Sequence, residues 1–204
     1  MFAIEIIVKD SLYAVKYTDD NDEFENNEFI EDYKNTDEFN RLFINWQDPE
    51  YLDGFFNKHK EDLQKEFYDN ISIEEAIQRT IDEAYEFEQK ILSIAENGKE
   101  SISENLQTLF KPLNDYENEI YPIPNYQKSK VYGPNYKSWL RIYALRIEEN
   151  VFIITGGAIK LTKTMNEREH LKKELEKLEN VKSFLILEEI IDNDSIIDFL
   201  ELEI

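Results

Sequence analysis

The sequence predicts an α+β fold in the order β-hairpin, helical block, β-hairpin, helix, and three observations carry that prediction. At the start, FAIEIIV and LYAVKY are short β-branched and aromatic runs parted by KDS. From about residue 36 to about residue 113 the apolar residues recur at helical spacing. Then RIYALRIEENVFIITGGAIKLTKT places two apolar runs around a polar turn, with a double glycine inside the second. Strands gathered at the two ends, with helices between them, describe α+β rather than alternating βαβ units.

Each element has a local reason. Phe2–Val8 and Leu12–Tyr17 read as the two strands of an N-terminal hairpin. Residues 18–28 form an acidic loop whose Asp/Asn spacing resembles a calcium loop, without the central glycine or the closing glutamate such a loop needs. Phe39, Leu42, Phe43 and Trp46 fall on one face of a helix over 36–46. Pro49 behind Asp48 starts another. Ser72 with Glu75 makes a capping box for a long helix that Gly98 stops. Its stripe of Ile73, Ala76, Ile77, Ile81, Ala84, Tyr85, Phe87, Ile91 and Leu92 reads as core. A short helix in ENLQTLF ends before Pro112, and 121–137, with three prolines, reads as an irregular connection. Strands are expected over 139–147 and 151–163, with a bulge or close backbone approach at Gly156–Gly157. Thr164 and Glu167 cap a last helix lined by Leu171, Leu175, Leu178, Val181 and Leu185, and the tail is a short acidic helix. The expected units are 1–17, a hairpin joining the sheet; 18–113, an acidic helical elaboration; 114–185, a basic sheet-and-helix core; and 186–204, an acidic C-terminal helix.

Composition excludes several chemistries. There is no cysteine, so disulfides, thiolate metal sites and cysteine nucleophiles are absent. Five glycines form neither a P-loop nor a dinucleotide fingerprint. Two histidines do not make a multi-histidine metal centre, and Glu167 with His170 gives a single Glu-x-x-His pair, so neither metal nor cofactor is expected. The start lacks a basic leader, and no apolar run approaches the roughly 20 residues of a membrane helix. The expectation is a soluble cytoplasmic protein without a membrane partner. The net charge of −22 is unevenly spread. Residues 1–120 hold 31 acidic and 11 basic residues, net −20; residues 121–182 hold 7 and 12, net +5; residues 183–204 hold 7 and none, net −7.

The basic segment carries the candidate site. On the first C-terminal strand Arg141, Tyr143 and Leu145 share one face, and Ile142, Ala144 and Arg146 the other. Lys160 and Thr162 point together, with Lys163 opposite or released at the strand end. Arg141, Tyr143 and Lys160 therefore suit a local cluster that neutralises phosphate and stacks on an unpaired base, which Lys128, Lys130, Lys137 and Arg168 would widen. The same cations also suit a solvated sheet edge that discourages strand pairing.

The order FKPL (Phe110, Lys111, Pro112, Leu113), a polar spacer, the glycine-bearing hairpin and a charged helix resembles the C-terminal half of RelE/HigB-like toxins, over roughly residues 108–185. The resemblance implies a RelE-like sheet core and a metal-independent mRNA endonuclease of a type II toxin–antitoxin pair, acting on RNA or at the ribosome. It implies phosphate binding and charge stabilisation by Arg141, Arg146, Lys160 and Lys163, with Tyr143 or His170 as acid or base. It also implies a cognate antitoxin partner, of the helix-turn-helix kind. The −20/+5/−7 charge layout, which departs from the family, points to acidic segments that fold over the basic sheet and restrain it. Net charge supports a rival reading: a non-enzymatic acidic interaction protein or nucleic-acid mimic occupying a partner's basic groove. A degenerate toxin fold with a regulatory role is the third.

Overall fold

Strand β6 (Val151–Ile159) is buried along its whole length, and the rest of the molecule is arranged around it. A computed structural model describes residues 2–17, 36–64, 68, 70–114 and 125–202. The acidic loop expected at 18–28 lies outside the described residues. The chain runs β1 (Phe2–Val8), β2 (Leu12–Tyr17), α1 (Glu38–Gln47), α2 (Pro49–Lys58), α3 (Lys60–Leu63) and α4 (Ile73–Asn97). It continues through α5 (Leu106–Leu109), β3 (Lys111–Pro112), β4 (Gln127–Tyr132), β5 (Leu140–Glu148), β6, α6 (Glu169–Leu187) and α7 (Asn193–Leu202). The strands form one mixed sheet in the order β1-β2-β6-β5-β4-β3. The fold is thus mixed α and β, with seven helices and six strands among the described residues. None of those helices is long and apolar enough to cross a membrane.

Local chemistry starts the helices where the sequence places them. Asp37 accepts from the Asn40 amide at the head of α1, and Asp48 from the Glu50 and Tyr51 amides ahead of Pro49 in α2. Ser72 and Glu75 complete a reciprocal capping box, and α4 runs to Asn97 with Gly98 as its C-cap. Thr164 and Glu167 also close a box, but around a 3-10 turn, Met165–Glu167, and α6 begins after it at Glu169.

Both sheet faces are covered. On one side Phe39, Phe43 and Trp46 of α1, Leu52 and Phe56 of α2, and Phe87 and Ile91 of α4 pack on Leu12, Ile142, Phe152 and Ile154. On the other, Leu171, Leu178, Val181 and Leu185 of α6 and Ile196 of α7 pack on Tyr13, Tyr143, Leu145 and Ile153. Strands buried on both faces lose the usual alternation of apolar and polar residues, which is why β5 and β6 read as continuous apolar runs.

Two features depart from the expected outline. Residues 127–132, expected to be irregular, are strand β4, antiparallel to β5. Its buried positions are Gln127, Ser129 and Val131, so polar residues occupy the inward side and conceal the two-residue period. The final strand stops at Ile159; the ladder closes with the Lys160 amide on the Trp139 carbonyl.

The N-terminal hairpin joins the rest of the sheet through a short parallel pairing of Leu12–Ala14 with Phe152–Ile154. Past that point β2 and β6 no longer pair. At the same place the β5–β6 register slips, with Tyr143 opposite Gly156 and Ala144 opposite Ile154, which leaves Thr155 as a bulge. The Tyr17 hydroxyl donates across the opening to the Thr155 carbonyl at 3.2 Å.

Candidate functional site

The β4–β5 register decides which cations meet. Lys128 is opposite Leu145, Lys130 opposite Tyr143, and Tyr132 opposite Arg141. Directly opposed residues share a face, so these side chains turn toward the side that carries α6. At the end of the sheet the Arg141 guanidinium lies 4.1 Å from the centre of the Tyr132 ring, and Lys130 Nζ lies 5.6 Å from it. Burial, followed by the charges of Arg141 and Lys130, holds the nearby Lys160 ammonium below the usual lysine range. Burial likewise pulls Arg141 down, opposed by the neighbouring Tyr132, Tyr143, Tyr68 and Glu83. Arg141 and Tyr143 thus share a face with Lys130 and Tyr132, and Lys160 lies within reach of the charges of Arg141 and Lys130.

What these groups bond to matters as much as where they lie. Arg141 Nη1 donates to the carbonyls of Ser138 and Leu140 at 2.8 and 2.6 Å. Lys160 Nζ donates to those of Thr162 and Lys163 at 2.6 and 2.7 Å, and Lys130 Nζ to that of Leu113 at 2.9 Å. Tyr143 is 1% exposed and donates its hydroxyl to Met165 Sδ at 2.9 Å. Burial, with Glu174 adding to it, pushes that phenol far above its ordinary range, so it stays neutral.

The other predicted residues sit elsewhere. Arg146 is buried on the opposite sheet face, near the far end of β5, with Nε donating to Gln107 Oε1 at 2.7 Å. Lys128 is ion-paired with Glu179 of α6. Arg168 grips Asp62 with two bonds, Nε to Oδ2 at 2.6 Å and Nη2 to Oδ1 at 2.7 Å. Lys137 lies in the β4–β5 loop with a φ of 60°, and Lys163 is exposed. His170 Nε2 lies 3.2 Å from the Ile159 carbonyl, and its ring meets those of Phe55 at 5.5 Å and His59 at 4.9 Å.

That last contact joins the two histidines of the chain from α6 and the end of α2. Burial, then His170 and Lys58, lowers His59 to about 4, and burial lowers His170 as well. Both rings are therefore neutral near pH 7. A cavity of 540 Å³ opens beside His59, lined also by Lys58, Asp62, Gln64 and Arg168. Among the described residues no group of three or more His, Asp or Glu side chains is placed to hold a metal ion.

A second charged group, unanticipated from sequence, occupies the opening between β2 and β6. Glu38 of α1 accepts from Arg41 Nε at 2.7 Å and Nη2 at 2.8 Å, and from Lys177 Nζ of α6 at 3.0 Å. Lys177 also lies 3.2 Å from Glu174 Oε1. Against a burial penalty that alone would raise it, Arg41 and Lys177 hold Glu38 at about 2. Burial, with Glu38 next to it, moves Glu174 up instead, and its Oε2 makes no hydrogen bond. Gly156 admits this carboxylate: a Cβ there would lie 2.0 Å from Glu174 Oε2. Gly157 is as confined, its Cβ position being 2.6 Å from the Arg141 carbonyl oxygen. The signal available in sequence was a glutamate at position 174 on the stripe of Leu171, Leu178 and Val181. Glu83 sits the same way between Thr80 and Phe87 in α4. It too is buried, and burial raises its pKa against the opposing effects of the Ser138 side chain, the Asn135 backbone and Arg79.

No family model, curated protein or solved structure matches this chain.

Proposed function

We propose that this protein is a non-enzymatic acidic interaction protein that docks on a basic surface of another protein. One observation carries the reading: six of the cations that would have to grip a phosphate chain are bonded to the protein's own acceptors. Lys128 and Arg168 are held by carboxylates, Arg146 by an amide, and Arg141, Lys130 and Lys160 by backbone carbonyls. Carboxylates meanwhile face solvent. On α4 alone Glu74, Glu75, Asp82, Glu86 and Glu96 are exposed. A surface of this sign steers basic partners in and repels nucleic acid.

Affinity capture tests it. The tagged full chain is expected to retain a basic, nucleic-acid-binding protein in a salt-dependent manner and to release it to excess DNA. Labelled RNA incubated with the pure protein is expected to remain intact. RNA cleavage that disappears in an Arg141→Ala/Lys160→Ala double variant would replace this reading with the next.

The second reading is a RelE/HigB-like sheet core acting as an RNA endonuclease, with a cognate antitoxin. The observation in its favour is the corner where Arg141 and Lys130 lie over the Tyr132 ring, with Lys160 close enough to feel both charges. Growth arrest on expression that the same double variant relieves would support it.

A further inference from the structure

β1 ends the sheet, and among the described residues no strand lies beyond it. Alternate residues of such a strand turn their N–H and C=O groups away from the one partner strand. Proteins ordinarily blunt that row with lysine, proline or a very short strand. β1 is seven residues long, FAIEIIV, with neither lysine nor proline. Its one charge, Glu5, is met by Lys16 of β2 at 3.5 Å. Ile6 is 52% exposed.

Helix α7 packs on the sheet face next to this edge, its buried Ile196 in one cluster with Ile4 and Tyr13. Near its start Asn193 Oδ1 accepts from the Tyr13 hydroxyl at 2.6 Å, and Tyr13 is the register partner of Ile6. Near its end Phe199 meets Phe184 at 5.6 Å, and Phe184 meets Phe2 at 4.5 Å. With Ile196 buried, α7 leaves Asp194, Asp198 and Glu201 exposed at i, i+4 and i+7, and it contains no basic residue.

We propose that the β1 edge and α7 together bind an extended segment of a partner protein, one that alternates Lys or Arg with apolar residues. Its backbone adds a seventh strand to the sheet. On the α7 side, the aliphatic stems of its basic residues cover Ile6 while their charged ends reach Asp194, Asp198 and Glu201. On the other side, its apolar residues extend the partly buried Ile7 and Val8. A second copy of this chain is the poorer occupant, because each copy brings a net charge of −22. The inference rests on the proposed acidic-interaction function and names the surface and the form of its partner.

The probe is a fluorescein-labelled octapeptide of alternating Lys and Val, followed by anisotropy and by amide hydrogen exchange on the full chain. Binding is expected to slow exchange within residues 2–8. Ile6→Lys and Asp198→Lys are each expected to weaken it at least tenfold, with far-UV circular dichroism unchanged. A peptide of alternating Glu and Val is expected not to bind. Binding that leaves exchange in 2–8 unaltered overturns the edge site while the acidic-interaction reading stands. If neither this peptide nor polylysine binds, that reading falls as well. A dimer in sedimentation, with β1 amides already protected and no peptide present, assigns the edge to a second copy and overturns the proposed partner.

Discussion

Acidification should loosen this protein through its histidine pair. His59 is half-buried against Phe55 and His170, with Lys58, Asp62 and Arg168 around it, and burial first, then His170 and Lys58, brings it to about 4. In the unfolded chain a histidine titrates near 6.5. Because the folded value is the lower one, the unfolded state takes up its proton first as pH falls. Stability is therefore intact above about 6.5, declines between about 6.5 and 4, and is level below that. The full interval corresponds to about 3 kcal/mol at 1.36 kcal/mol per pH unit. The ring is partly open to water, so about 1–2 kcal/mol is the realistic size. Urea unfolding followed by tryptophan fluorescence suits the test, since Trp46 and Trp139 are both buried. Between pH 7 and 5 the wild-type protein should lose about 1 kcal/mol more than His59→Gln, whose side chain does not titrate. Parallel pH profiles for the two proteins would refute the reasoning.

Three further outcomes follow from the buried charges. Gly156→Ala drives a methyl group into Glu174 and should cost about 1–3 kcal/mol, a fall in Tm of roughly 2–4 °C for each kcal/mol; an unchanged melt would contradict the close approach. Lys177→Met leaves Glu38 and Glu174 with Arg41 alone and should cost about 3–5 kcal/mol by urea denaturation, whereas Glu174→Leu/Lys177→Met should lose less because no uncompensated carboxylate remains on α6. Glu83→Gln should stabilise the protein at pH 8 and not at pH 4. Burial raises the pKa of this glutamate, so its contribution is favourable while it holds its proton and is lost as pH rises; a pH-independent effect would count against that.

The acidic surface and the internal cations bear on function together. Several of the chain's positive groups hold helices and strands to one another: Arg168 to Asp62 of α3, Lys177 to Glu38 of α1, Arg79 to the carbonyls of the β4–β5 loop. Arg79 also lies over Trp139, 4.4 Å from the ring centre, and Trp139 Nε1 donates to Thr80 at 3.0 Å. Cations spent in this way are not available to a phosphate backbone without breaking the joints they make.

Sequence alone determined what neighbouring residues decide among themselves. The Asp48–Pro49 and Ser72–Glu75 starts and the paired runs 2–8 and 12–17 depend on side chains a few positions apart, and the −20/+5/−7 division of charge is a property of the chain itself; what crowds Gly156 and Gly157, by contrast, comes from Glu174, Leu42 and the Arg141 carbonyl. Only the tertiary structure decided that residues 127–132 form a strand, that β2 lies parallel to β6, that His59 meets His170, and that Tyr132 of β4 stands opposite Arg141. The physical reason is register. A strand presents the same two-residue alternation to any partner at any offset, so its sequence shows which residues share a face but not which distant carboxylate, carbonyl or ring will be waiting there.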